Sequence, residues 1–325
     1  MLKLRGAFSQ NPRLQPLLDG TVKPEGIEIE WELGSPGPMF HHHLKENDFD
    51  VFEFSLSDYM IVQDRPQLRE RGWTAIPIFY SRAFLALNTF VNTHSGVETM
   101  ADLRGKSFGI PDFTMTAGLW MRAMIKELYG FGPEEVTWYN GRTQADSHGV
   151  LMGIDQDAPG VTIHWMERGT DVSDKLESGE IAAAYGDQIT VPLTESPNVR
   201  KMFDDRGRSW VEEFFAKTGF TPVNHTVVLH SRIAEQEPWV PEALFDAFER
   251  SKQEAYRRSP KEAYLLFPDL DPDQQAATFG RDPFPSGLTN NRRMLQMGAQ
   301  QSLDEGLTHK LANVEELFWD SVRNT

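Results

Sequence analysis

Four groups of residues in this 325-residue chain have types and spacings suited to chemistry. Arg82 follows an apolar run and a serine, Ser81. A guanidinium there can grip a carboxylate with two parallel hydrogen bonds, or can close an internal salt bridge. Thr114 and Thr116 stand where an apolar run, Ser107 to Ile110, passes into a helical pattern ending near Tyr129. Free N–H groups and the helix dipole make such an end an anion site, and a threonine can equally cap it. His225, in Pro222-Val223-Asn224-His225-Thr226, can donate a proton near neutral pH, or can be a core histidine bonded to backbone. Glu53, Ser55 and Ser57 alternate, so they share one face if the chain stays extended. A buried carboxylate beside two hydroxyls can accept phenolic protons, or can form a structural cluster.

Two further motifs carry less. His41-His42-His43 invites a metal reading, but adjacent helical residues point about 100° apart and do not converge on one ion. A solvated helix face is expected instead, with no metal. Gly105-Lys106-Ser107 lacks the earlier glycine of a phosphate loop and leads into a strand rather than out of one.

Composition narrows the classes. The formal net charge of −16 argues against nucleic acid and anionic membrane surfaces as partners. It leaves an anionic small molecule open, since one buried arginine decides local binding. Cysteine is absent, which removes disulfides, thiolate nucleophiles and cysteine-held metals. Met1 to Gly6 shows no apolar leader core and no run reaches the length of a membrane span, so a cytoplasmic protein is expected. Nothing in the sequence excludes a homo-oligomer.

The elements that must position these residues read as βαβ architecture with largely parallel sheets. Strands are expected at Leu2 to Ala7, after the turn at Lys23 to Gly26, at Phe49 to Phe54, Ala75 to Phe79, Phe84 to Val91 and Ser107 to Ile110. Residues 142–160 read as an irregular surface loop. Helices are expected at Thr114 to Tyr129, Pro241 to Arg257, Asn290 to Glu305 and Val314 to Arg323. Leu44 to Ser55 aligns without gaps to Leu176 to Asp187, each a helix end, a polar turn and a strand. If the repeat is real, Ser55 and Asp187 end equivalent strands, where ligands of open α/β sheets bind.

The chain resembles the 4,5-dihydroxyphthalate decarboxylase family, a branch of the type 2 periplasmic-binding-protein-like superfamily. The resemblance rests on Leu18 to Ile27, on Phe49-Asp50-Val51 with Glu53, Ser55, Ser57 and Tyr59, on Ala75 to Phe79 with Ser81-Arg82, and on Gly109-Ile110-Pro111 with Met115-Thr116-Ala117 and Trp120. Thr218-Gly219-Phe220, His225 to Val228, Pro238-Trp239-Val240 and Asp282-Pro283 extend it. It implies a two-lobed α/β fold with a central inter-lobe cleft: residues 1–87 and 223–325 in one lobe, 88–222 in the other. It also implies crossing strands near residues 84–92 and 221–229, which places His225 on a cleft-lining strand.

Four departures stand out. Leu85 and Ala86 follow Phe84 where the family pattern is more basic, Asp187-Gln188 stands where an arginine is expected, and His42 and Ser286 also differ from the pattern.

The implied activity is decarboxylation of a hydroxylated aromatic acid without metal or organic cofactor. His225 would act as acid, Glu53 as base or phenol orienter, and Arg82 with Thr116 as carboxylate anchors on opposite sides of the cleft. Ser55, Ser57, Ser81, Thr114, Asp187 and Asn224 complete the expected substrate-binding set. The alternative is a non-catalytic binding protein for a small anionic solute.

Overall fold

The computed structural model describes residues 1–82, 84, 88–154, 158–186, 195–205 and 207–325. The chain divides into two units: Met1–Arg82, Phe220–Gln300 and Lys310–Thr325 form one, Ala83–Gly219 and Gln301–His309 the other. Eleven strands are described, in chain order β1 (Leu2–Phe8), β2 (Ile27–Leu33), β3 (Val51–Ser55), β4 (Trp73–Ile76), β5 (Thr89–Asn92), β6 (Ser107–Ile110), β7 (Thr137–Asn140), β8 (Thr162–Trp165), β9 (Ala183–Tyr185), β10 (Val199–Lys201) and β11 (His225–His230).

The first unit holds a five-stranded sheet of order β2-β1-β3-β11-β4. β1 runs parallel to β2 and β3, while β11 is antiparallel to both β3 and β4. The central strand β3 is buried along its whole length, so it reads as a continuous apolar run broken only by Glu53 and Ser55. One core joins Leu4, Val51, Val227 and Leu229 to Val240, Leu244 and Phe248 of the 19-residue helix Val240–Arg258.

The second unit holds a six-stranded sheet of order β10-β5-β9-β6-β7-β8. β6 is parallel to β7 and β9, and β7 to β8, whereas β5 is antiparallel to β9 and β10. Helix Thr116–Tyr129 follows β6 and ends on Gly130 at φ 71°, a left-handed cap that glycine adopts without strain.

Three expectations need correction. Val314 to Arg323 is not a helix: Leu317 and Trp319 bond to Ala75 at the edge of β4, and only Asp320–Val322 forms a 3₁₀ turn. Burial of Leu317, Phe318 and Val322 against that edge outweighs helical spacing. Residues 142–160 are not all surface, since Ser147, His148 and Gly149 are buried. Residues 301–309 join the second unit, because Glu305 pairs with Arg122 through two 2.7 Å contacts, both side chains being 1% exposed.

The repeated segment shows one shared device among its described residues. Helix Pro36–Glu46 ends on Asn47 and helix Val172–Ser178 on Gly179, the aligned residue. Both caps are left-handed, with φ 54° and 83°. Asn47 is the one non-glycine residue with positive φ among those described. Its amide accepts from Trp73 Nε1 at 2.5 Å, which holds it there. Asp187 lies outside the described residues, as do Leu85, Ala86 and Gln188.

Candidate active site

Strand register brings Glu53 and His225 together. Glu53 stands opposite Val227 and His225 opposite Ser55 in the antiparallel β3–β11 pair. Residues opposite or diagonal in such a pair share one face, within reach of long side chains. His225 Nδ1 lies 2.6 Å from Glu53 Oε1. The other oxygen, Oε2, accepts the backbone N–H of Ser9 at 2.7 Å and its hydroxyl at 2.5 Å. Ser9 directly follows β1, the parallel neighbour of β3.

The electrostatics follow from burial and these bonds. Glu53 is fully buried, and burial alone would raise its pKa. The charge of His225 and hydrogen bonds from His225 and Ser9 outweigh that, and hold the carboxyl below its usual range. Glu53 therefore stays ionised. Tyr80 lies close by: burial first, then the Glu53 charge, pushes its phenol well above the usual value. The hydroxyl is buried beside Glu53. His225 itself is 16% exposed at the side chain, and Phe40 meets its ring edge to face at 4.9 Å. With Nδ1 directed at Glu53, Nε2 is the nitrogen left to face a reacting molecule.

The expected roles change in three places. Glu53 reaches no solvent and both its oxygens are engaged, so it works through His225 and is not a base that touches a phenol. Ser57 does not share the Glu53 face, because the chain turns into helix Leu56–Asp64 after Ser55. Ser55 caps that helix, accepting from Asp58 N–H at 3.3 Å. Capping thus defeats the alternation.

Arg82 does not present its fork to a ligand as expected. Its terminal nitrogens donate to the Thr221 carbonyl and hydroxyl, to the Pro222 carbonyl and to Asn291 Oδ1. No carboxylate pairs with it among the described residues, and burial lowers its pKa to about 9. The buried Nε–H has no acceptor among the described residues. Nearby, Asn224 donates its N–H to the Ser81 carbonyl at 3.0 Å and accepts from Leu56 N–H with its own carbonyl. These backbone bonds fix the segment that presents His225.

In the second unit Thr114 and Thr116 are both buried at the start of helix Thr116–Tyr129. Neither caps it: the cap position is Met115, with no side-chain bond to the helix. Thr114 turns instead to Asp112, its hydroxyl 3.3 Å from Oδ1. Asp112 is also buried, accepts His148 N–H at 2.8 Å and holds Arg142 at 3.4 Å. Sequence reasoning missed Ser9, Tyr80, Asp112 and Arg142. The usable signal was position, since Ser9 and Asp112 each lie just past the carboxyl end of a strand.

The histidine triplet splits by environment. His42 pairs with Asp48 at 2.9 Å near the surface. His43, contrary to a solvated face, is buried against Phe52, with ring centroids 4.4 Å apart. Among the described residues no cluster of three or more His, Asp or Glu is arranged to hold a metal.

The chain is 28% identical to 4,5-dihydroxyphthalate decarboxylase of Comamonas testosteroni, across 98% of this chain and 96% of that protein. It is 29% identical to the protein of the same name from Pseudomonas putida, across 63% of this chain and 78% of that one. Its sequence relatives are 4,5-dihydroxyphthalate decarboxylases. The resemblance read from Phe49-Asp50-Val51, Ser81-Arg82 and His225 to Val228 thus extends over nearly the whole chain.

No family model matches. The fold is like that of periplasmic binding proteins. Aliphatic sulphonate binding protein SsuA of Escherichia coli superposes with a TM-score of 0.55 at 14% identity, over 98% of this chain and 92% of its own. Desulfurization enzyme DszB superposes at 0.52 and 14% identity, over 98% and 96%. A solute receptor and an enzyme thus share the scaffold, so fold alone does not decide between binding and catalysis. No helix among the described residues is long and apolar enough to cross a membrane.

Proposed function

We propose that this protein is a carboxy-lyase acting on a hydroxylated aromatic acid of the 4,5-dihydroxyphthalate type, with His225 as general acid. The observation that carries the reading is the Glu53–His225 contact at 2.6 Å in a chain whose full-length relative is named a decarboxylase.

Direct loss of CO₂ from an arene would leave an aryl anion, which is too unstable to form. Protonation at the carbon bearing the carboxylate avoids it. His225, protonated, gives its Nε2 proton to that carbon, and a ring hydroxyl ortho or para to it stabilises the resulting cation. The C–CO₂ bond then breaks, its electron pair restores aromaticity, and neutral His225 recovers a proton from water. Glu53 keeps Nδ1 protonated and stabilises the imidazolium, the part a carboxylate plays behind a histidine in other acid–base sites. Arg82 supplies positive charge for a substrate carboxylate.

The test incubates purified protein with hydroxybenzoates and hydroxyphthalates, with and without chelator, and follows CO₂. Release unaffected by chelator supports the proposal. Tight binding of a panel member without release points to a receptor.

A further inference from the structure

Ser9 gives both of its donors to a single oxygen of Glu53. With Oε2 clamped, Oε1 faces Nδ1 of His225 at 2.6 Å, one oxygen to each partner. Each neighbouring element contributes a group around Glu53. β11 brings His225, the segment after β4 brings Tyr80, and helix Pro36–Glu46 brings His43, which burial keeps neutral. Arg13 acts on Tyr80 from the loop after β1. Among these, Ser9 alone donates two hydrogen bonds to the carboxylate. Ser9 is itself only partly buried.

We propose that Ser9 is a positioning residue of this site: its hydroxyl keeps Glu53 ionised and turned toward His225, so that the imidazole presents Nε2 to the substrate in one tautomer. The inference rests on the acid role given to His225 above. Removing a donor from an ionised carboxylate favours its protonated form, and a neutral Glu53 no longer supports an imidazolium. A merely structural serine would leave that balance where it is.

The experiment follows the Glu53 carboxyl by carbon-13 NMR titration and, in parallel, the pH profile of CO₂ release, in wild type and in Ser9→Ala, Ser9→Val and Ser9→Thr. Ser9→Ala and Ser9→Val should move the Glu53 midpoint up by roughly one pH unit and the acid limb of kcat with it. They should also lower kcat roughly tenfold or more with KM little changed. Ser9→Thr, which keeps the hydroxyl, should restore both. A Glu53 midpoint and acid limb unchanged in Ser9→Ala and Ser9→Val overturn the proposal. If wild type releases no CO₂ from any acid, the decarboxylase reading fails, and the carboxyl titration alone still decides the role of Ser9.

Discussion

Glu53 and His225 sit on neighbouring antiparallel strands, two residues out of direct register, and the offset lets a fully buried carboxylate meet Nδ1 at 2.6 Å. The residue directly opposite His225 is Ser55, whose hydroxyl caps the helix that follows. The strand that returns to the first unit therefore delivers the imidazole, and the strand it pairs with supplies its partner.

Glu53→Gln preserves size and removes charge. The amide can offer Nδ1 an oxygen but cannot balance an imidazolium. Steady-state kinetics should show kcat lowered by roughly 10²-fold or more with KM little changed. An unchanged kcat would remove Glu53 from the account while leaving His225 in it.

Arg82 has no carboxylate partner among the described residues, so an anionic ligand is its natural complement. Arg82→Met should raise the dissociation constant of an aromatic carboxylate by roughly 30-fold or more, since lost partners of buried charges cost about 2–5 kcal/mol. Thermal denaturation should also show a loss, because Thr221 and Asn291 lose their donor. Affinity equal to wild type in titration calorimetry would show that Arg82 serves only the fold.

Arg122 and Glu305 make a two-pronged buried pair over the Phe113 ring, 3.8 Å from its centroid. Glu305→Ala leaves a buried guanidinium uncompensated and should cost about 3–5 kcal/mol in denaturant unfolding. Gln301, which also donates to Glu305 at 2.8 Å, cannot replace it because it adds no negative charge. A change below about 1 kcal/mol would show that residues 301–309 are held by other contacts.

His43 is buried and neutral, its pKa lowered to about 3, by burial first and by His42 second. In the unfolded chain the same ring protonates near its ordinary value of about 6.5. Between those values the unfolded state binds more protons, so stability falls as pH drops below about 6.5 and levels off near 3. His43→Leu removes this part of the acid sensitivity. Relative to the variant, wild type should lose up to about 3 kcal/mol between pH 6.5 and 4. Parallel stability–pH curves would contradict the burial argument.

The sequence carried the fold largely through its short apolar runs and its family motifs, and strands β1, β3 and β6 fall within a residue or two of their expected places. His225 and Glu53 were legible as chemistry, but their contact was not, because it depends on a register set 172 residues apart in the chain. Ser57 misled because alternation cannot announce that Ser55 will cap a helix. Ser9 and Tyr80 were missed because a lone hydroxyl carries no pattern until a buried carboxylate is known beside it. Val314 to Arg323 has helical spacing, yet its bonds to Ala75 are tertiary and leave no local trace.

The acid role of His225 is tested most directly by single-turnover CO₂ release with His225→Ala, using the hydroxylated aromatic acid that wild type turns over fastest. The account predicts a rate lowered about 10²–10⁴-fold, the usual contribution of a general acid, with the dissociation constant of the acid little changed. A single-turnover rate equal to that of wild type would contradict it, and would place the proton donor elsewhere than the imidazole that Glu53 holds.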